Sequence, residues 1–260
     1  MTRTYVVTGA ASGIGAATVA HLDALGHRTI GVDRRDADIV ADLANDEGRQ
    51  AMLDAVVDRV AHTGGVVDAV IACAGTVNRG RTDVRVNFFG AVATLTGLRP
   101  LLARSATPRA VAVTSVAVLD RVDEALVAAC LAGDEPAAME ALDALNPRHA
   151  GRTYSSAKRA LARWVRRTAI TDEWAGAGIA LNTVGPGTVR TPMTSPILDD
   201  PDLAPLLDQQ VPMPYQGWMT PDVIAHHLAF LTAADTCGIT GQTIFVDGGA
   251  ESVTRGDDVF

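Results

Sequence analysis

Residues 5–15 read YVVTGAASGIG, a β-rich run that leads into a glycine loop. Apolar residues then recur at spacings of three and four as far as Leu25, a period that predicts a helix, and Gly26 ends it. A second β-rich run, Thr29 to Val32, ends at Asp33. Strand, glycine loop, helix, strand and acid, in this order, predict a dinucleotide-binding βαβ unit.

The loop has the spacing G-x-x-x-G-x-G, which lets the backbone approach a pyrophosphate at the N-terminus of a helix. The candidate contacts in it are Gly9, Ser12, Gly13, Ile14 and Gly15. Asp33 would accept hydrogen bonds from a ribose 2′-hydroxyl and repel a 2′-phosphate, so it favours NAD over NADP. Arg34 and Arg35 follow it directly, and an arginine there would instead accept the phosphate of NADP.

Helix and strand patterns keep alternating along the chain. The predicted elements are helices over roughly Asp46–His62 and Asp83–Leu102, and buried strands over Val66–Cys73 and Ala110–Thr114. Asn87 lies inside the second of these helices, where its plainest interpretation is an exposed polar residue. The alternation predicts an α/β fold with one doubly wound parallel sheet and a ligand at the carboxyl ends of its strands.

Tyr154 and Lys158 are four residues apart in a segment with helical periodicity, so they share one helix face. A nearby ammonium favours the phenolate and lowers the pKa of the tyrosine. The tyrosine could then exchange a proton with a substrate oxygen near neutral pH. The pair alone also fits a surface helix that carries both residues by chance.

Composition narrows the class of protein. The 260 residues carry a net charge of −8, which argues against a nucleic-acid or anionic-membrane surface. Cys73, Cys130 and Cys237 are widely spaced and predict reduced thiols in a cytoplasmic protein. The scattered histidines predict no metal site, and no apolar run predicts a signal peptide or a membrane span. One domain over 1–260 is expected.

The motifs together resemble the short-chain dehydrogenase/reductase family over nearly the whole chain, and within it the bacterial 3α-hydroxysteroid dehydrogenase/carbonyl reductases. The residues that carry the resemblance are Thr8–Gly15, Asp33, Asp42, Ala74-Gly75, Asn87, Ser115, Tyr154, Lys158, Asn182, Pro186-Gly187, Thr191, Thr240–Gln242 and Val246–Gly249.

The resemblance implies a role for each catalytic candidate. Tyr154 would be the general acid or base on the substrate oxygen, and Ser115 would hydrogen-bond that oxygen. Lys158 would lower the tyrosine pKa and hold the nicotinamide ribose, while Asn87 would hold a water that relays protons. The remaining implied cofactor contacts are Asp42 and Leu43 at the adenine, Ala74 and Gly75, and Val189 and Thr191 at the carboxamide.

Two segments have no place in the βαβ pattern. Ser115 and Tyr154 lie 39 residues apart (154 − 115), and about 118–150 has a helical pattern that predicts a helical hairpin inserted before the Tyr154 helix. From Val189 to Met219 the chain is rich in proline and apolar residues, which predicts a binding loop for an apolar substrate. Packing on a partner subunit is the alternative for this loop. Thr220-Pro221 predicts the start of a last helix.

The leading hypothesis is an NAD-dependent enzyme that interconverts a secondary alcohol and a ketone on an apolar substrate of steroid-like or cyclic kind. A catalytically idle NAD-sensing or scaffold protein is the rival, although it predicts loss of the serine, tyrosine or lysine. A hydrolase using Ser115 would need a G-x-S-x-G elbow, which Thr114–Ala117 lacks. The hairpin would cover the helices of Asn87 and Tyr154, so we expect a homodimer through Asp222–Val246 and no tetramer. The alternative is that the hairpin is itself the interface.

Overall fold

The computed structural model describes residues 2–62, 64–77, 80–257 and 259. The strands are β1 Thr4–Thr8, β2 Arg28–Asp33, β3 Ile39–Val40, β4 Ala69–Ala72, β5 Arg109–Val113, β6 Ala180–Pro186 and β7 Thr243–Val246. The helices are α1 Gly13–Ala24, α2 Asp46–Ala61, α3 Arg81–Val84, α4 Ala91–Leu102, α5 Glu124–Ala132, α6 Glu135–Asp143, α7 Arg152–Thr168, α8 Ser195–Leu198, α9 Ala204–Gln210, α10 Pro221–Thr232 and α11 Ala250–Arg255.

All seven strands pair in parallel in one sheet, in the order β3-β2-β1-β4-β5-β6-β7. From β1 the chain first builds outward to β3 and then crosses to β4 on the other side. The crevice at the carboxyl ends of β1 and β4 is therefore the switch point where ligands bind in open α/β sheets. The predicted doubly wound parallel sheet is confirmed, whereas one domain over 1–260 stays a prediction.

Helices cover both faces of the sheet. Neighbouring strand residues point to opposite faces, so Val6 packs in the cluster with α2, α4 and α7, while Val7 packs in the cluster with α1 and α10. Both valines are fully buried, as is usual in parallel sheets. Along the described part of the chain no helix is long and apolar enough to cross a membrane.

The segment between β5 and α7 contains two helices, as its pattern predicted. Asp123 and Asp134 cap α5 and α6 by accepting hydrogen bonds from the amides of Leu126 and Ala137, each at 2.9 Å. Gly133 has a φ of 74°, which ends α5. Helix α5 packs on α7 and α6 on α3, and Leu126 is fully buried between these elements.

Four sequence predictions differ from the structure. Strand β4 covers only part of the run 66–73, and the helix expected over 83–102 begins at Arg81 and contains a π-helical turn, Arg85–Gly90. The region 189–219 is not loop throughout, because α8 and α9 form in it, each with a proline in its first turn where no amide is needed. Helix α10 is not the last, since α11 follows β7.

Candidate active site

A cavity of about 560 Å³ opens at the carboxyl ends of the strands, at the switch point. It is lined by most residues that the sequence singled out. They are Gly9, Ser12, Gly13, Ile14, Gly15, Asp33, Asp42, Leu43, Ala74, Gly75, Ser115, Tyr154, Lys158, Val189 and Thr191. Asn87 does not line the cavity. Its amide oxygen packs against Gly75, which does line the cavity. The topology thus gathers residues from the whole chain at one edge of the sheet.

The glycine loop between β1 and α1 is packed too closely for side chains. A Cβ on Gly15 would lie 2.1 Å from the carbonyl oxygen of Gly9, and one on Gly9 would lie 2.9 Å from the backbone of Ala74. Gly9 also has a φ of +73°, which favours glycine. The first-turn amides of α1 have no helical acceptor, so they form a cradle that fits the pyrophosphate of a dinucleotide.

The loop is joined to the end of β4 by Thr8, a residue to which the sequence analysis gave no role of its own. The Thr8 hydroxyl accepts hydrogen bonds from the amides of Cys73 and Ala74, both at 3.1 Å. Thr8 is buried, so these bonds fix the two strand ends relative to one another. The only available signal was its place at the end of the strand, before the first glycine.

Asp33 stands at the rim of the cavity with both carboxylate oxygens engaged. One accepts from the amide of Ala11 at 3.0 Å and the other from the amide of Arg34 at 2.7 Å. The carboxylate is therefore held in place, with acceptor capacity left for a hydroxyl. Arg34 and Arg35 line the same rim but are exposed. This donor and acceptor set fits a ribose diol.

Asp42 and Leu43 form the wall of the cavity at the far end of β3. The Asp42 carboxylate accepts from the amide of Ala44 at 2.9 Å, and a Cβ on Gly48 would lie 2.0 Å from the Asp42 carbonyl oxygen. The first turn of α2 therefore packs directly on this wall. Leu43 is buried and offers an apolar surface that suits a flat aromatic ring.

Ser115, Tyr154 and Lys158 meet at the other end of the cavity. Ser115 follows β5, and the other two lie one turn apart in α7. The Lys158 ammonium donates to the Val113 carbonyl at 2.8 Å and lies 5.8 Å from the centre of the Tyr154 ring. Lys158 is the only lysine in the chain. A hydroxyl, a phenol and a buried ammonium therefore line the same end of the cavity.

Burial changes the acidity of the titratable groups here. It lowers the pKa of Lys158 to about 8. It also raises the pKa of Tyr154, whose residue is partly exposed but whose hydroxyl is crowded by protein, while Ser115 acts to lower it. Burial is the largest influence on the tyrosine and its pKa is raised, so the predicted lowering of that pKa is wrong for this geometry. Burial raises the pKa of Cys73 to about 12, so it stays a thiol.

Asn87 lies in the π-helical turn and is fully buried, so its interpretation as an exposed residue is wrong. Its amide nitrogen donates to the Thr76 carbonyl at 2.8 Å, and its amide oxygen accepts from the Thr76 amide at 3.0 Å. A Cβ on Gly75 would lie 3.0 Å from that oxygen and 3.5 Å from the Lys158 nitrogen. Asn87 therefore holds the loop after β4 beside Lys158. π-helical turns often mark functional sites.

The segment after β6 borders the cavity beside Tyr154. Val189 forms a parallel bridge with Met219, and the Thr194 hydroxyl donates to the Val189 carbonyl, which closes the base of the segment. Met193 reaches the cavity and is 40% exposed. Leu203, Leu206 and Tyr215 are also exposed, so the same segment carries exposed apolar surface.

Neither metal ligands nor disulfides are evident at the site. The three cysteines are free, and no cluster of three or more His, Cys, Asp or Glu side chains suits a metal ion within the described residues.

Comparisons with known proteins agree over the length of the chain. A family model described as enoyl-(acyl carrier protein) reductase matches residues 9–251. The chain is 34% identical to the 3-alpha-hydroxysteroid dehydrogenase/carbonyl reductase of Comamonas testosteroni, over 96% of this chain and 97% of the other. It is 28% identical to a cis-4-hydroxycyclohexanecarboxylate dehydrogenase of Sinomonas cyclohexanicum, over 96% and 97%. The crystal structure of 3-alpha-hydroxysteroid dehydrogenase from Pseudomonas sp. B-0831 with NADH superposes with a TM-score of 0.89, at 38% identity, over 98% and 99%.

Proposed function

The chain belongs to the short-chain dehydrogenase/reductase family, and from this premise we propose that it is an NAD-dependent oxidoreductase. It interconverts a secondary alcohol and a ketone on an apolar, cyclic or steroid-like substrate. The observation that carries the proposal is the meeting of Ser115, Tyr154 and Lys158 at one end of a cavity whose other end is the glycine cradle.

When bound, NAD or NADH accepts or supplies the hydride. In the reduction of a ketone, Ser115 donates a hydrogen bond to the substrate oxygen, and Tyr154 gives that oxygen its proton. The raised pKa of Tyr154 keeps the phenol protonated near neutral pH, ready for this direction. In the oxidation of an alcohol, Tyr154 takes the proton, and the neighbouring Ser115 favours the phenolate that this step needs.

Lys158 and Asn87 act around this pair. The Lys158 ammonium already donates to the Val113 carbonyl and keeps two further protons for the ribose hydroxyls of the cofactor. Asn87 fixes the Thr76 backbone, which lines the cavity next to Lys158. We propose that an ordered water on the free acceptor capacity of Asn87 connects Lys158 with solvent. Val189 and Thr191 would border the carboxamide.

Asp33 supports NAD over NADP. Its carboxylate is held at the rim by two backbone amides, and a 2′-phosphate there would face a negative charge. The superposed Pseudomonas enzyme was solved with NADH, which fits the same choice. Arg34 and Arg35 are exposed and free to turn toward a phosphate, so a preference for NADP is the outcome that would refute this part.

The apolar surface of 189–219 supports the substrate class. Met193 lines the cavity and is 40% exposed, and Leu206 on α9 is exposed in the same segment; such surface favours a large apolar ligand. The full-length relatives are named for acting on a hydroxysteroid and on a hydroxycyclohexane acid, both ring-bearing secondary alcohols. An idle NAD-binding protein finds no support, because the serine, tyrosine and lysine are all retained at the cavity.

We propose a homodimer through α10 and β7. Strand β7 is a half-buried sheet edge, and Phe230 on α10 is 58% exposed. Helices α5 and α6 lie on α7 and α3, where they would obstruct association through those helices.

The proposed function is tested with a panel of secondary alcohols: hydroxysteroids, substituted cyclohexanols, terpenoid alcohols and short linear alcohols. Each is offered with NAD or NADP, and the absorbance of the reduced cofactor is followed. We expect turnover of ring-bearing alcohols with NAD. Absence of turnover with every alcohol and with the matching ketones would refute the proposal.

A further inference from the structure

Arg49 on α2 is a buried charge that the catalytic scheme does not use. It is 7% exposed, yet its guanidinium makes four hydrogen bonds. The Nε donates to the Leu43 carbonyl at 2.9 Å and an Nη to the Arg85 carbonyl at 3.1 Å. The other Nη donates to Asp46 at 2.8 Å and to Glu135 at 2.7 Å.

One carbonyl belongs to a cavity-lining residue and the other to the π-helical turn, whose Val86 lines the cavity. Leu43 forms its wall at the end of β3, and Arg85 begins the π-helical turn that contains Asn87. These parts touch at Gly90, where a Cβ would lie 3.0 Å from Leu43 Cβ and 3.3 Å from the Arg85 carbonyl oxygen. The guanidinium thus connects the wall and the turn close to the place where Gly90 packs between them.

Glu135 holds the guanidinium from the opposite side. It is the first residue of α6, and its other oxygen lies 3.0 Å from the Arg85 Nε, an ion pair without hydrogen-bond geometry. Its side chain is 21% exposed, so it is largely shielded from solvent. Through Glu135 the helical segment between β5 and α7 reaches an arginine that sets the shape of the cavity.

The arrangement depends on the guanidinium fork. Arginine presents donors in one plane and in several directions, whereas a lysine ammonium at the same distance is a single point. A lysine has three donors and could not bond both carbonyls and both carboxylates at once, so it would lose at least one of these bonds, which costs stability or moves the backbone. The ring of Phe89 lies 5.8 Å from the guanidinium carbon and closes one side of it.

We propose that Arg49, held by Glu135 of α6, is a positioning residue for the cavity. It sets the Leu43 wall against the π-helical turn and thereby couples the helical segment to cofactor binding. The inference rests on the proposed function, because the ligand whose binding it controls is the nicotinamide dinucleotide. It adds a role for the segment that is independent of subunit assembly.

The test compares Arg49→Lys and Glu135→Gln with wild type in the full-length chain. Asp143→Asn is the matched control, since its pair with Arg81 also joins α6 to α3 but does not reach Leu43. Calorimetric titration gives the Kd for NADH and for ADP-ribose, and thermal unfolding gives Tm for each variant. ADP-ribose is included because it keeps the adenine that Leu43 would border but lacks the nicotinamide, so it reports binding without the reacting group.

We expect Arg49→Lys to weaken both ligands by at least ~10-fold, the scale for hydrogen bonds to a charged group. Glu135→Gln, which keeps an amide oxygen that can accept from Arg49, should weaken them by roughly threefold, the scale for an ordinary hydrogen bond. Asp143→Asn, an exposed pair, should stay within about twofold. A merely structural arginine would lower Tm and leave both Kd values unchanged, which would overturn the inference.

If Arg49→Lys does not fold, the Glu135→Gln variant provides the test. If that variant binds both ligands as tightly as wild type does, the proposed coupling is refuted. Wild-type protein that binds neither NADH nor ADP-ribose would refute the proposed function as well.

Discussion

The lowered pKa of Lys158 predicts how ketone reduction responds to pH. Burial shifts this pKa from 10.5 to about 8, so the ammonium is lost as pH rises through 8. The pKa of Tyr154 is raised, so the phenol stays protonated over the same interval and does not cause the fall. If the charged lysine is needed to bind the cofactor, kcat/KM for NADH must decline above pH 8.

The size of the decline follows from the shift. With a pKa of about 8, roughly 1% of the lysine is charged at pH 10, whereas an unshifted lysine would still be about 75% charged. The ratio kcat/KM for NADH reports groups of the free enzyme, so it should fall by roughly 50- to 100-fold between pH 7 and pH 10. A fall of less than about twofold would show that Lys158 titrates as an ordinary lysine.

The pKa of Lys158 can be measured directly because Lys158 is the only lysine in the sequence. Protein labelled with ¹⁵N in its lysine side chain gives a single ε-amino signal, and its titration should have a midpoint near 8 in the folded protein. The same sample in concentrated denaturant serves as control and should titrate near ~10.4. A folded-state midpoint close to the denatured one would contradict the reasoning.

Three further predictions concern the cofactor, the core and assembly. Asp33→Ala should lower the ratio of kcat/KM for NAD to that for NADP by about 10- to 100-fold, the scale for a hydrogen bond to a charged group; a wild-type preference for NADP would contradict it. Leu126→Ala should lower the free energy of unfolding in urea by about 2–5 kcal/mol, because the side chain is fully buried. Its control Leu206→Ala, 55% exposed, should change it by less than about 0.5 kcal/mol, and equal losses would contradict the packing. Light scattering at micromolar concentration should give a dimer that Phe230→Asp converts to monomer, whereas a stable tetramer would refute the proposed interface.

The βαβ order of the first half was predictable because its signals are local. Periodicity gave α1 and α2, and the glycine spacing predicted the loop between β1 and α1. Parallel pairing then brings Ser115 and Asp33 to one edge of the sheet, because the carboxyl ends of all paired strands lie at that edge. The cavity could therefore be located from the order of motifs.

Other features depend on packing across the chain. The π-helical turn at Asn87 has no sequence signal of its own, and the bonds of that residue to Thr76 need the loop after β4 in place. The predicted direction of the Tyr154 pKa shift was wrong. The prediction used the proximity of Lys158 along the helix, but burial acts on both groups and cannot be read from that proximity. The prolines of α8 and α9 favoured a loop, although proline fits a first helical turn.

The central claim is that Tyr154 moves the proton at a nicotinamide-binding cavity. The most direct test is Tyr154→Phe, measured for turnover of an accepted ketone with NADH and for the Kd of NADH. The account predicts that kcat falls by at least ~10²-fold, the usual scale for a positioned acid or base, while the Kd for NADH stays close to that of wild type. A variant that keeps near-normal kcat would contradict it.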